Sequence, residues 1–223
     1  MTTAASTRHH QSFGARRLSD VVILDCEFLS AEGAPRRFWC GPTDPDPTVV
    51  QIGAVRLGLG GDHPLGQRFQ RLIHPVDRSG APVTLDPAFC ALTGLTNQRL
   101  ADEGQSLAQA LADFAAFARG RTIWSWGKDE LNLMAISSYV AGIRAPIPAR
   151  RFGNACALLL AAGVPLSDIQ TLRSHTLCTH FGLTPPQGRA HDALFDALSL
   201  ATVLRHLLLT ARLAPTDFQI ATP

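Results

Sequence analysis

The apolar run Val21-Val22-Ile23-Leu24 continues as Asp25-Cys26-Glu27-Phe28. Its length and β-branched content predict a buried strand. Residues 49–57 predict a second strand, and 58–62 a turn. The alternation Gln67-Arg68-Phe69-Gln70-Arg71-Leu72-Ile73 predicts a third strand with one wet face. Three strands in this order predict an antiparallel meander. A short helix is expected over 85–92, with Asp86 as N-cap and Pro87 in the first position, ended by Thr93-Gly94-Leu95-Thr96. Apolar positions 107, 111, 114, 115 and 118 form one helical stripe within 106–119. Residues 122–126 predict a buried strand broken at Gly127, followed by a helix over about 129–141. Residues 144–148 are a loop, and 152–162 are apolar without a decisive period. A helix is expected over 166–181, a loop over 182–188, and a last helix from near His191 to about Leu213, followed by a tail.

The hydrophobic share of 46% over 223 residues describes a globular chain with enough core for one domain. No apolar run approaches the roughly 18 residues of a membrane span, so no membrane partner is expected. Residues 1–18 read as a polar, disordered tail without a secretory core, 19–213 as the domain, and 214–223 as a C-terminal tail. Five scattered cysteines without a Cys-x-x-Cys suggest reduced thiols and a cytoplasmic protein, with neither a disulfide framework nor a zinc site. A net charge of +2 permits a nucleic-acid partner without demanding one. Lys128 is the one lysine; the excess of arginine suits phosphate contacts, but codon bias yields the same excess.

The chemistry concentrates at a few positions. Asp25 and Glu27, two apart on a strand, share a face. Two buried like charges raise each other's pKa unless a cation sits between them, and carboxylate oxygens suit Mg²⁺ or Mn²⁺. An edge strand with one face in water is the plain alternative. In the last helix, Asp196 stands in an otherwise apolar stretch, five residues after His191. The two reach one site only if His191 lies in the loop or first turn, where Gly188 allows it to swing. A hinged histidine there suits a general base. Asp192 fits the first turn as a dipole partner. Arg36-Arg37-Phe38-Trp39, within the irregular segment 29–48, suits phosphate and base contacts, or equally a surface loop anchored by one tryptophan. His74, followed by Pro75, ends a strand and reads as structural; His175, His180 and His206 lack an acidic partner at metal spacing and read as helix-surface or satisfied core residues. Cys90 and Cys178 read as small apolar fillers, and Trp124 and Trp126 as core.

Taken together, Leu24-Asp25-Cys26-Glu27, Gln51-Ile52-Gly53-Ala54-Val55, Leu92-Thr93-Gly94-Leu95-Thr96 and Ala190-His191-Asp192-Ala193-Leu194-Phe195-Asp196-Ala197 resemble the DEDDh 3′–5′ exonucleases over roughly residues 20–210. Residues 89–94 and Trp126-Gly127 look most like the enhanced-RNA-interference and KinA-inhibitor branch, which trims small or structured RNAs. The resemblance implies an α/β, ribonuclease H-like fold: a five-stranded mixed sheet, the meander plus parallel strands, with helices on both faces. It implies hydrolysis of phosphodiesters at a single-stranded 3′ end, RNA favoured over DNA, releasing 5′-nucleoside monophosphates. Asp25, Glu27, Asp196 and a fourth acid would hold two Mg²⁺ or Mn²⁺ ions, with His191 as base. The family's fourth acid falls on Glu130 by register, whereas the aspartate itself is one residue earlier, Asp129. The two point about 100° apart on a helix, so one serves and the other faces the dipole. Phe28 matches a position that packs on the terminal nucleotide, and equally suits a core phenylalanine. A homodimer is compatible with this reading. The displaced acid leaves open a catalytically impaired module that binds nucleic acid without cleaving it. A dinucleotide-binding oxidoreductase is excluded, because acids stand where its phosphate-binding glycines belong.

Overall fold

The computed structural model describes residues 19–220; the segment expected as an N-terminal tail, 1–18, lies outside the described residues. Five strands form one mixed sheet in the order β3-β2-β1-β4-β5: β1 (Asp20–Phe28), β2 (Val49–Gly58), β3 (Leu65–Leu72), β4 (Ile123–Ser125) and β5 (Phe152–Asn154). β1, β2 and β3 pair antiparallel, as the expected meander; β4 and β5 continue the sheet in parallel. β1 is therefore central, which is why Val21 to Glu27 are all buried, apolar but for Asp25 and Glu27.

Strand parity divides the core. Val21 and Ile23 face one layer with α5 (Ala155–Ala161), α6 (Leu166–Thr171), α7 (Leu177–His180) and α8 (Ala193–Leu209). Val22, Leu24 and Cys26 face the other, with α3 (Leu107–Phe117) and α4 (Asp129–Val140). By the same parity Asp25 and Glu27 belong to the α8 side. α8 is apolar on nearly every face, as expected of a helix buried all round.

The structure departs from the expected elements in five places. β3 begins at Leu65, two residues early. Thr93-Gly94-Leu95-Thr96 closes α1 (Pro87–Thr93) and also opens α2 (Asn97–Glu103): Gly94 takes φ +74° at the C-cap, and the Thr96 hydroxyl accepts from Arg99 N. The ambiguous 152–162 stretch becomes β5 and α5, with Asn154 capping Cys156 N. The helix expected over 166–181 is broken at Leu172-Arg173. There the Thr176 hydroxyl accepts from Arg173 N and donates to Arg173 O, offering the backbone an alternative to the helical ladder. The last helix is shorter at both ends, because Asp192 is extended and caps it, and it closes at Leu209.

The expected C-terminal tail, 214–223, is described as far as residue 220. Pro215–Phe218 forms a short 3₁₀ turn, and Phe218 is fully buried with its ring edge-on to Trp124 at 5.6 Å. All five cysteines are free, and among the described residues no helix is long and apolar enough to cross a membrane.

Candidate active site

The carboxyl end of β1 meets the start of α8. Gly53 of β2 stands opposite Asp25 in the register, and a Cβ added there would lie 2.1 Å from Leu194 N. Only a glycine lets the helix backbone rest on the strand at this point. Gln51, fully buried and opposite Glu27, fixes the same helix end. Its amide accepts from Ala193 N and donates to Asp192 Oδ2 at 2.9 Å, while Asp192 Oδ1 accepts from Leu194 N and Phe195 N. Asp192 is thus the N-cap of α8. His191 lies just outside the helix at φ +61°, and its N–H donates to Asp196 Oδ2 at 3.2 Å. The backbone excursion, preceded by Gly188 at φ +141°, turns His191 toward Asp196.

An open cleft of roughly 350 Å³ collects Asp25, Glu27, Asp196 and His191 with Arg173, Ser174 and His175. One ligand atom from each of Glu27, His191 and Asp196 lies within 4.8 Å of the others. Glu130, outside the cleft lining, is buried at 6% exposure and, after burial itself, adds the largest repulsion on Asp25; its Oε2, like Asp196 Oδ1, has no hydrogen-bond partner among the described residues. Asp129 is exposed at the start of α4.

The acids are strongly perturbed. Burial pushes Asp25 well above the usual carboxylate range, with Glu130, Asp196, Glu27 and Asp192 adding repulsion. Burial pushes Glu27 up to about 8, with Asp196, Asp192 and Glu130 adding and Arg189 opposing. Burial likewise raises Glu130 and Asp196 to about 7 each. His191 is lowered by burial and by the neighbouring His175 and Arg189, so it stays neutral near pH 7. Four buried acids with two orphaned oxygens and a neutral imidazole are a donor set suited to hard divalent cations.

The remaining expected site residues lie elsewhere. Phe28 is half-buried and packs against the α3–α4 side of the core. Arg37 is held by Asp44, Arg36 and Phe38 are exposed, and Trp39 is half-buried; none of the four lines the cleft. His180 and His206 flank Phe181. His175, read from the sequence as a helix-surface or core residue, instead lies in the cleft with its ring 5.0 Å from that of His191. Arg173 enters with it, and Arg189 donates to Ala91 O and Leu92 O at the end of α1.

No family model matches the chain, and no curated protein matches it by sequence. Solved structures do. The nuclease domain of 3′hExo, described as a DEDDh family member bound to rAMP, superposes with a TM-score of 0.72 at 18% identity, over 92% of this chain and 96% of that one. The chain has the fold of the 3′-exonucleases. A full-length 3′-exonuclease matches with a TM-score of 0.70 at 17% identity over 90% of this chain, which spans 64% of that longer one. Exonuclease I of E. coli, in complex with a dA16 oligonucleotide, matches with a TM-score of 0.56 at 18% identity, over 85% of this chain and 41% of that one. The expected ribonuclease H-like architecture is therefore present, with its five-stranded mixed sheet and helices on both faces.

Proposed function

We propose that the protein is a metal-dependent 3′–5′ exonuclease that acts on single-stranded 3′ ends, RNA in preference to DNA, and releases 5′-nucleoside monophosphates. The observation that carries the proposal is the convergence of Asp25, Glu27, Glu130, Asp196 and His191 at one end of the central strand, with two buried carboxylate oxygens left without partners. Asp25, Glu27, Asp196 and Glu130 would hold two Mg²⁺ or Mn²⁺ ions. When bound, such ions supply a nucleophilic water at neutral pH and neutralise charge on the leaving 3′ oxygen. Asp129, exposed at the helix start, keeps the dipole role.

His191 acts as the general base. Its lowered pKa keeps the imidazole free to accept a proton near neutrality. The bond from His191 N to Asp196 Oδ2 ties the base to a metal-holding acid, so both arrive in the cleft together. Gln51 and Asp192 set the helix end on which Asp196 is carried. The preference for RNA is supported by the relatives described with rAMP and with a histone mRNA stem-loop, and extends the resemblance to the RNA-trimming branch. A cytoplasmic setting agrees with five free thiols.

The test is Mn²⁺-dependent digestion of matched 5′-labelled single-stranded RNA and DNA. Stepwise shortening by the wild type is expected, lost in Asp25→Ala and in Glu130→Gln but kept in Asp129→Asn. Substrate left at full length after incubation of the wild type with either ion would refute the enzyme assignment; binding without shortening would mark a non-cleaving module.

A further inference from the structure

The cleft is lined by unlike groups: Asp25, Glu27 and Asp196 with His191 beside them, and the short run Arg173, Ser174 and His175. Arg173 lines the same cavity as three carboxylates, yet among the described residues it makes no ion pair. Its Nη1 donates to Leu172 O at 2.6 Å and Gln170 O at 3.4 Å, while Nε and Nη2 have no acceptor among the described residues. The His175 ring makes no hydrogen bond among the described residues either; it lies half-buried against His191.

The backbone that carries these donors is held in place, with Arg173 itself exposed and His175 half-buried. The Thr176 hydroxyl closes the turn on Arg173, and Ser199 Oγ of α8 donates to Ser174 O at 2.8 Å. The segment 173–175 is thereby fastened to the same helix that carries Asp196. A cation and an imidazole carried on an anchored turn at the cleft, with donors unspent, suit an anion that enters it. The guanidinium fork matches two phosphate oxygens, and a neutral imidazole still donates through one N–H.

We infer that Arg173 and His175 contact the phosphodiester backbone of the substrate's 3′ end where it enters the acidic cleft. The inference rests on the exonuclease reading and adds to it two substrate-contacting residues. Arg173 secures binding. His175, beside the base, holds the reacting phosphate in line.

The test uses two readouts. The first is anisotropy of a fluorescent single-stranded oligoribonucleotide in Ca²⁺, titrated over salt. Arg173→Met should weaken binding about 10-fold or more and lower the slope of log affinity against log salt by about 0.7, as expected for one lost phosphate contact on a single strand. An unchanged slope would overturn the assignment of Arg173. The second is Mn²⁺-dependent digestion by His175→Gln, which keeps an N–H donor, and His175→Phe, which keeps the ring. A fall in kcat of about 10-fold or more in His175→Phe, with His175→Gln within about 3-fold of wild type, would support phosphate contact. The reverse order, or no loss in either, would overturn it and leave His175 as packing for His191. If the wild type fails to digest, the exonuclease reading falls on its own, and the salt slope still decides whether Arg173 meets phosphate.

Discussion

Gly53→Ala isolates the link between fold and site, because the added methyl touches no catalytic group. The new Cβ would lie 2.1 Å from Leu194 N, 2.2 Å from Ala193 C and 2.4 Å from Ala193 O. All three are backbone atoms, so no side chain can swing aside. Reaching the 3.0 Å that real Cβ atoms keep requires about 0.9 Å of separation between β2 and the start of α8. Overpacking of this kind costs about 1–3 kcal/mol, or roughly 2–4 °C in Tm per kcal/mol for a chain of this size. The catalytic cost should be larger in proportion. The displaced turn carries Asp196, while Asp25 sits on β1 directly opposite Gly53. A misplacement near 1 Å costs about 10²-fold in rate. We therefore expect a folded variant with a Tm a few degrees lower and kcat down about 100-fold. The control is Gly66→Ala on β3, where the nearest atom to an added Cβ is Arg56 Cβ at 3.8 Å, and both Tm and rate should hold. Thermal unfolding and oligonucleotide digestion read the two arms. Wild-type rate in Gly53→Ala would refute the claim that this glycine sets the position of α8.

Three further outcomes are expected. Glu27, Glu130 and Asp196 have raised pKa values in the metal-free protein, so their contribution to stability is full below about 4 and is lost as pH rises through about 7–8. For Glu27 alone the effect is on the order of 5 kcal/mol at full ionisation; Tm in EDTA should fall between pH 5 and 8.5, and Mn²⁺ should restore it more at pH 8 than at pH 5.5, whereas a pH-independent Tm in EDTA would contradict the burial of these acids. Gln51→Leu keeps the volume but leaves Ala193 N and part of Asp192 unpaired, which should cost about 1–3 kcal/mol in urea unfolding and lower kcat with little change in KM. Phe218→Ala empties a fully buried site beside Trp124 and should cost about 3–5 kcal/mol without altering the pH dependence of the rate.

What was legible in the sequence follows from how local each signal is. Strand parity alone places Asp25 and Glu27 on one face, and the apolar, β-branched run places that strand inside the sheet. The bend that frees His191 from the last helix was foreshadowed by Gly188, yet its cause, an extended Asp192 capping α8 and held by Gln51, is a tertiary contact between residues far apart in the chain. Choosing between Asp129 and Glu130 needs the helix phase to within one residue, and apolar spacing in α4 sets it no more finely than that; burial of Glu130 against exposed Asp129 is visible only once α4 is docked. The run from Arg173 to His175 was hidden for a different reason. Residues 166–181 carry apolar positions at helical spacing, which invites one continuous helix and buries His175 in it. The Thr176 hydroxyl breaks that helix, and the Ser199 hydroxyl then seats the resulting turn beside His191. A serine on an apolar helix and a threonine three residues after an arginine are small polar deviations from a hydrophobic pattern. Here they are what brings a guanidinium and an imidazole into an acidic cleft, so hydroxyls that interrupt a helical period bear on the site as much as the acids themselves.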